Sequence, residues 1–303
     1  MLLNKIDVSV IICCYNSEKR IVPTLEHLSK QTLGLLCFEI ILVDNNCSDL
    51  TAETAIKVWE ALGTPFELRI VKESQPGLSF ARKCGVFSAR GEIIVFCDDD
   101  NWLNEEYCFL SHEIMLENNH IGVLAGQSRA EADIEIPTWF YTNYGNYACG
   151  VLATQSGDVT SRLWVWGAGM VVRKNLMEKL YFKYIHTTKD RTKDSMESGG
   201  DVEICYWHIL ENKILWYDDR LRLKHYMPSS RLVVENALIQ YKAQEESAMK
   251  MRELSLYTSR YLEYKKGMLT FQGIILDLMK LRMRSSLISI KYYIKFKLRE
   301  FQE

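Results

Sequence analysis

Over the first 120 residues, continuous apolar runs alternate with segments of helical periodicity. The runs at 8–14, 38–43, 66–71 and 93–97 read as strands buried on both faces, while 21–31, 51–62, 78–89 and 105–118 place apolar residues at helical spacing. Strand and helix in strict alternation predict βαβ units and a mostly parallel sheet with helices on both faces. Ser48 or Asp49 is placed to cap the helix at 51, and Gly63 follows its end.

After residue 121 the pieces shorten and aromatics multiply. The pattern predicts a strand at 121–126, an aromatic stretch at 139–147, a strand over 164–173 and a polar loop at 186–200. A helix at 202–212 and strands at 214–217 and 221–225 follow, and from 232 onward the chain reads as helical. The expected organisation is an α/β domain over 1–231, in halves 1–120 and 121–231, with a helical extension over 232–303.

Composition narrows the class. Of 303 residues 48% are apolar, enough for a large core, and a formal net charge of -2 argues against a general nucleic-acid binder. Nine cysteines contain no CxxC pair, and Cys13, Cys97 and Cys205 lie in apolar runs, which suits reduced thiols in a cytoplasmic protein. Residues 1–7 lack the features of a signal peptide, and no window reaches the roughly 18 apolar residues that a membrane span needs. Charge is uneven, however: 265–303 holds nine Lys or Arg against three acids, interleaved with Leu276, Met279, Leu287, Ile290, Tyr293, Ile294 and Phe296. Such a stretch suits either an anionic membrane surface, on the inner face of the plasma membrane, or a packed helix with a solvated basic face.

Ligands of open parallel sheets bind beyond the carboxyl ends of the strands. Here the first strand runs into Tyr15 and Asn16, the second into Asp44, Asn45 and Asn46, and the fourth into Asp98, Asp99, Asp100 and Asn101. Three consecutive carboxylates after a buried strand repel one another and require a cation or a set of hydrogen-bond donors. Side-chain alternation lets Asp98 and Asp100 face one way and Asp99 another. Carboxylate oxygens suit Mn²⁺ or Mg²⁺, which take the rest of their coordination from water and phosphate. The alternative is a polar strand end that caps the next helix.

The segments Val8-Ser-Val-Ile-Ile-Cys-Cys-Tyr-Asn16, Ile41-Leu-Val-Asp-Asn-Asn-Cys-Ser-Asp49, Gly77-Leu-Ser-Phe-Ala-Arg82 and Ala89-Arg-Gly-Glu-Ile-Ile-Val-Phe-Cys-Asp-Asp-Asp100 resemble the family 2 glycosyltransferases of the GT-A fold, in order and over about the first 230 residues. The resemblance implies a nucleotide-sugar-binding half at 1–120 and an acceptor half at 121–231. It implies that Asp44 bonds the donor pyrimidine, with Cys14, Tyr15, Asn16 and Asn46 lining the same pocket. Arg82 would sit near the base or diphosphate and Asp98 near the ribose, Gly77 and Asp99 would belong to the same donor site, and Asp100 would be the principal metal ligand, with Asp98 as a second. Lys83 stands where the family often has Asn. Trp164-Val-Trp-Gly-Ala-Gly-Met170 resembles the segment that approaches the donor sugar, where Gly167 lets a ligand close and Trp164 and Trp166 either stack on a sugar or fill the core.

Gly199-Gly-Asp-Val-Glu203 corresponds to the family's acidic segment, usually Glu-Asp, which supplies the general base; Gly200 replaces the first acid. Asp201 is then the candidate base or only a helix cap, with Glu203 as the second candidate if the segment is extended. His225 contacts the diphosphate, completes the metal shell or makes ordinary hydrogen bonds, and Arg231 follows in the same loop. The implied activity is inverting transfer from a UDP-sugar, with thymine equally able to satisfy Asp44, to a carbohydrate or lipid-linked oligosaccharide acceptor in surface polysaccharide or glycolipid assembly. Residues 14–20 contain no glycine, which excludes a dinucleotide-dependent oxidoreductase and counts against a nucleotidyltransferase. A non-catalytic sugar- or nucleotide-binding protein on the same fold is the remaining alternative.

Overall fold

The computed structural model describes residues 5–32, 34–183, 190–191 and 197–270. Its organising element is a parallel sheet of β1 (Val8–Cys14), β2 (Phe38–Asp44), β3 (Glu67–Lys72) and β4 (Ile93–Asp98), ordered β3-β2-β1-β4 and joined through α1 (Ile21–Leu28), α2 (Thr51–Ala61) and α3 (Leu78–Ser88). Alternation along β1 decides which helix covers which face. Val8, Val10 and Ile12 share a core cluster with Leu25 and Leu28 of α1 and with Ala55 and Trp59 of α2. Ile11 faces α3 instead, where a Cβ on Gly85 would come within 2.4 Å of its Cγ2. The absent side chain lets this helix lie directly on the sheet. Register places Cys14 opposite Asp44 and Cys13 opposite Asp98, so the strands deliver their polar ends to one edge. Strand order reverses between β1 and β4, which opens the crevice used by ligands of such sheets.

Beyond β4 come β5 (Asn101–Leu103), α4 (Tyr107–Glu117), β6 (Ile121–Glu131), α5 (Thr138–Asn143) and β7 (Gly157–Asp158). β8 (Val171–Arg173), α6 (Lys174–Lys183), α7 (Gly200–Leu210), β9 (Ile214–Tyr226) and α8 (Val234–Lys265) follow. β8 runs antiparallel between β4 and β6, β6 pairs with β9 in parallel, and β5 and β7 lie antiparallel on β9. The sheet is therefore mixed and mostly parallel, with helices on its faces. At the end opposite the crevice, buried Glu39 accepts from Ser9 Oγ (2.7 Å), Arg69 Nη1 (2.8 Å), Arg90 N (2.7 Å) and Arg90 Nε (2.8 Å), tying three strands together.

Two expectations change. The strand expected over 164–173 is only Val171–Arg173, because Leu163 (φ 70°) and Gly169 (φ 69°) take left-handed conformations that interrupt an extended chain. The two strands expected within 214–225 are one strand, whose register against β6 shifts between Ala125 and Gln127. Gly126 sits at that irregularity, where Leu221 O would lie 2.0 Å from any Cβ.

The chain divides into two compact units, Met1–Ser247 and Ala248–Glu303. In the second, the described part continues as helix to Lys265, with Arg260 and Glu263 paired at 2.5 Å one turn apart. From residue 271 onward the basic stretch at 265–303 lies outside the described residues, as does most of the loop at 187–198. No helix among the described residues is long and apolar enough to cross a membrane.

Candidate functional site

The loops after β1 and β2 are built on each other. Asn16 (φ 50°) accepts the Ser48 N–H at 2.8 Å, while the Cys47 thiol accepts the Asn16 N–H at 3.3 Å and donates to Cys14 O at 3.4 Å. Asp44 Oδ1 accepts the Cys47 N–H at 2.9 Å, and Asn46 (φ 61°) lets the chain turn back. Tyr15 contributes its carbonyl to Arg20 at 3.4 Å. Asn45, buried beside Asp44, donates to Glu73 O (3.1 Å) and Gln75 O (2.6 Å) and accepts the Gly77 N–H (2.8 Å). One amide thereby fixes the segment that leads into α3, where Gly77 takes φ 132°. Sequence reasoning noted Asn45 only as a polar strand end and missed this role.

The strand ends at Asp98 and the chain turns at Asp99 and Asp100, so the three carboxylates part at a turn and not by the alternation of an extended segment. Asp99 turns toward α1: Arg20 Nη2 donates to it at 2.7 Å, Ser17 Oγ donates as well, and Thr24 Oγ1 bonds its carbonyl at 2.8 Å. Burial raises the Asp99 pKa, assisted by the Asp100 charge and opposed by Arg20. Asp100 turns the other way, with His225 Nε2 3.4 Å from Oδ1 and Arg231 Nη1 3.4 Å from Oδ2. These two cations overcome burial and hold the Asp100 carboxyl far below the ordinary range. Reciprocally, burial favours the neutral ring of His225, but the Asp100 charge outweighs it and pushes the imidazole up to about 9. Backbone pairing brings the partners together, since Asn101 lies opposite His225 and the Tyr226 N–H bonds Asp100 O at 2.8 Å.

Asp98 belongs to a different group. Burial raises its pKa, and the guanidinium of Arg82 is the main opposing charge. Arg82 is itself 6% exposed and pairs with Asp190 at 3.0 Å; its charged form is stabilised by Asp190, Asp98 and Asp201 against the cost of burial. Lys83, the departure from the family pattern, is exposed on the next position of α3.

Asp201 lies in the first turn of α7, where Oδ2 accepts the Gly167 N–H (2.9 Å) and Oδ1 accepts the Val202 N–H (2.9 Å). A Cβ on Gly167 would lie 3.1 Å from both Arg82 Nη2 and Asp201 Cβ, so this glycine is matched to the packing of the charged pair. Because α7 is already helical here, Glu203 points elsewhere: it is fully buried, with Trp207 Nε1 donating to it at 3.3 Å. The tryptophans occupy a loop. Trp166 is 9% exposed and donates to Gly145 O at 3.0 Å, while half-buried Trp164 carries Arg162 over its ring at 5.2 Å.

Arg82, Asp98, Asp100, Asp201, Gly167, His225 and Arg231 are thus linked to one another beyond the carboxyl ends of the strands, Asp44 stands at the same edge of the sheet, and Asp99 and Glu203 have other partners. Arg20, Asn45 and Asp190 were not singled out by sequence reasoning; Asn45 alone had a signal, its place at a strand end. Among the described residues no group of three or more His, Cys, Asp or Glu side chains is arranged to hold a metal. A mixed α/β sheet with charged groups gathered where its strand order reverses is the architecture of the open α/β proteins, whose ligands lie beyond the carboxyl ends of the strands.

Residues 9–180 match the family described as Glycosyl transferase family 2. The chain belongs to that family. It is 24% identical over 223 residues to the glycosyltransferase GlyG of Streptococcus pneumoniae, covering 71% of this chain and 69% of that protein. It is 33% identical over 101 residues to EpsH of Bacillus subtilis, a match that spans 28% of that protein's length. The crystal structure of Staphylococcus aureus TarS 1-349 in complex with UDP superposes with a TM-score of 0.55 at 20% identity, covering 81% of this chain and 65% of that one. The likeness shows a shared fold, the GT-A architecture expected from the motifs.

Proposed function

We propose that the chain is an inverting glycosyltransferase that moves a sugar from a UDP-sugar to an acceptor hydroxyl during assembly of a surface polysaccharide or glycolipid. The observation that carries this reading is the convergence of Asp44, Asp98, Asp100, Arg82 and Asp201 on one edge of the sheet. Solved TarS structures with UDP and UDP-GlcNAc on the same fold support a nucleotide sugar as ligand.

In this reading Asp44 receives the pyrimidine within the loops built by Cys14, Tyr15, Asn16 and Asn46. Asp201 takes the acceptor proton as the hydroxyl oxygen attacks the anomeric carbon, its carboxylate held in place by Gly167 N–H and Val202 N–H. Arg82 and Arg231 supply positive charge along the path of the departing UDP. The residues fit a divalent cation by chemistry: Mg²⁺ or Mn²⁺ uses one or two carboxylates plus phosphate and water, and Asp100 with Asp98 provides them. When bound, the cation would neutralise charge on the leaving diphosphate. The acceptor is assigned to the aromatic half around Trp139 to Trp166, and a cytoplasmic, membrane-peripheral location to the basic stretch at 265–303.

The test is thermal unfolding with UDP, GDP, CMP or dTDP, each with and without Mn²⁺, since a ligand of the folded state raises the melting temperature. A rise with UDP that needs Mn²⁺ and disappears in Asp100→Ala is expected. UDP release from a panel of UDP-GlcNAc, UDP-glucose and UDP-galactose then measures turnover, which Asp201→Asn should remove while leaving UDP binding intact. Binding without any turnover would favour the non-catalytic alternative.

A further inference from the structure

The acidic segment at the start of α7 has glycine where the family pattern has its first acid, yet a carboxylate fills that place. A Cβ on Gly200 would lie 2.5 Å from Asp190 Oδ2, 3.2 Å from Asp190 Cγ and 3.4 Å from Arg82 Nη1. Gly200 is helical and needs no special backbone conformation, so sterics alone reserve the position. Asp190 reaches it from the segment ahead of α7, is 3% exposed, and takes φ 58°, a conformation that Asp tolerates better than most side chains. Arg191 O accepts the Leu78 N–H at 3.0 Å, which ties this segment to the first turn of α3, the helix that carries Arg82.

The guanidinium of Arg82 is consequently shared. Nη1 engages Asp190 at 3.0 Å, and Nη2 approaches the point beside Gly167 that lies 3.3 Å from Asp201 Oδ2. A buried cation deprived of one carboxylate moves toward the next, because an uncompensated charge is costly there. Asp201 is that next carboxylate, and a closed pair with Arg82 would compete with the acceptor proton for its oxygens.

We propose that Asp190 is a positioning residue for transfer: it supplies from another segment the carboxylate absent at position 200, and by engaging Arg82 it keeps the guanidinium from closing on Asp201. The proposal rests on Asp201 as the base. It explains why Gly200 can replace an acid without loss of the charge pattern, and it makes positions 190 and 200 interdependent.

The experiment compares variants by UDP release from the UDP-sugar panel and by the melting-temperature rise with UDP and Mn²⁺. Asp190→Asn, nearly isosteric, is expected to lose about ten- to a hundredfold in turnover, the scale of a misplaced catalytic group, with UDP affinity unchanged. Gly200→Asp alone is expected to melt lower than wild type, because its Cβ meets the Asp190 carboxylate. The double variant Asp190→Ala/Gly200→Asp is expected to release UDP faster than Asp190→Ala and to melt higher than Gly200→Asp. Normal turnover in Asp190→Asn, or a double variant no faster than Asp190→Ala, overturns the assignment. Asp201→Asn separates the two ideas: turnover retained there removes the base itself, whereas turnover lost there but normal in Asp190→Asn removes only the role of Asp190.

Discussion

Replacing Arg82 with methionine keeps most of the side-chain volume and removes the charge that three carboxylates share. Arg82 and Asp190 are buried, with side chains 8% and 5% exposed, and they meet at 3.0 Å. Taking one partner from such a pair costs about 3–5 kcal/mol, because the other is left buried and uncompensated. At about 2–4 °C per kcal/mol for a chain of this size class, Arg82→Met should melt roughly 6–20 °C below wild type near neutral pH. The pH dependence identifies the cause. Burial already raises the pKa of Asp98 and Asp190, and in both Arg82 is the main opposing influence, so its loss raises them further. An acid whose folded pKa lies above its unfolded value weakens the fold as pH rises through that window, and the penalty relaxes when the group protonates. The deficit of the variant should therefore be larger at about pH 8 than at about pH 5, read as the difference in melting temperature from wild type at each pH. A deficit of the same size at both would mean that lost packing, not stranded carboxylates, accounts for the destabilisation.

Glu39 gives the opposite sign: burial works against its charge, but hydrogen bonds from Ser9, Arg69 and Arg90 prevail and lower its pKa. Its contribution is present above the unfolded value of about 4.3 and fades as pH falls through the folded one, so Glu39→Gln should destabilise by about 3–5 kcal/mol at neutral pH and by less in acid, as measured by urea unfolding. Gly85→Ala gains about 1 kcal/mol of helix propensity but places a Cβ 2.4 Å from Ile11 Cγ2, so overpacking of about 1–3 kcal/mol should make the change net destabilising. In the Gly85→Ala background, Ile11→Ala should cost less than it does in wild type; equal costs would show that α3 simply shifts away. Deleting 265–303 should abolish binding to vesicles containing anionic lipid, and unchanged binding would remove the membrane role proposed for that stretch.

The buried strands were legible because an apolar run such as Val8–Cys14 has few alternatives to a strand covered on both faces, and the carboxyl-end rule then located the crevice. The loop at 164–170 was not. Trp-Val-Trp alternation suggests a strand, but the left-handed residues at Leu163 and Gly169 are set by tertiary contacts, among them the Gly169 carbonyl accepting from Tyr107 at 2.7 Å. Nor was Asp190 legible, since its partner Arg82 is 108 residues away and nothing local distinguishes it in a polar loop.

The run from Asp98 to Asp100 shows most clearly where sequence reasoning ends. Three adjacent carboxylates had to be compensated, but they part at the turn of Asp99 and Asp100, where the alternation of an extended strand does not apply. What pattern could not supply was the identity of the counter-charges, each from a different part of the chain: Arg82 of α3 for Asp98, Arg20 for Asp99, and His225 with Arg231 for Asp100. The protein meets its own charge requirement. On the proposed reading, a divalent cation alone would have to displace buried His225 and partly buried Arg231 from Asp100 and leave both without their carboxylate. A nucleotide diphosphate arriving with the metal offers them new partners, so metal and nucleotide should bind together far better than either does separately.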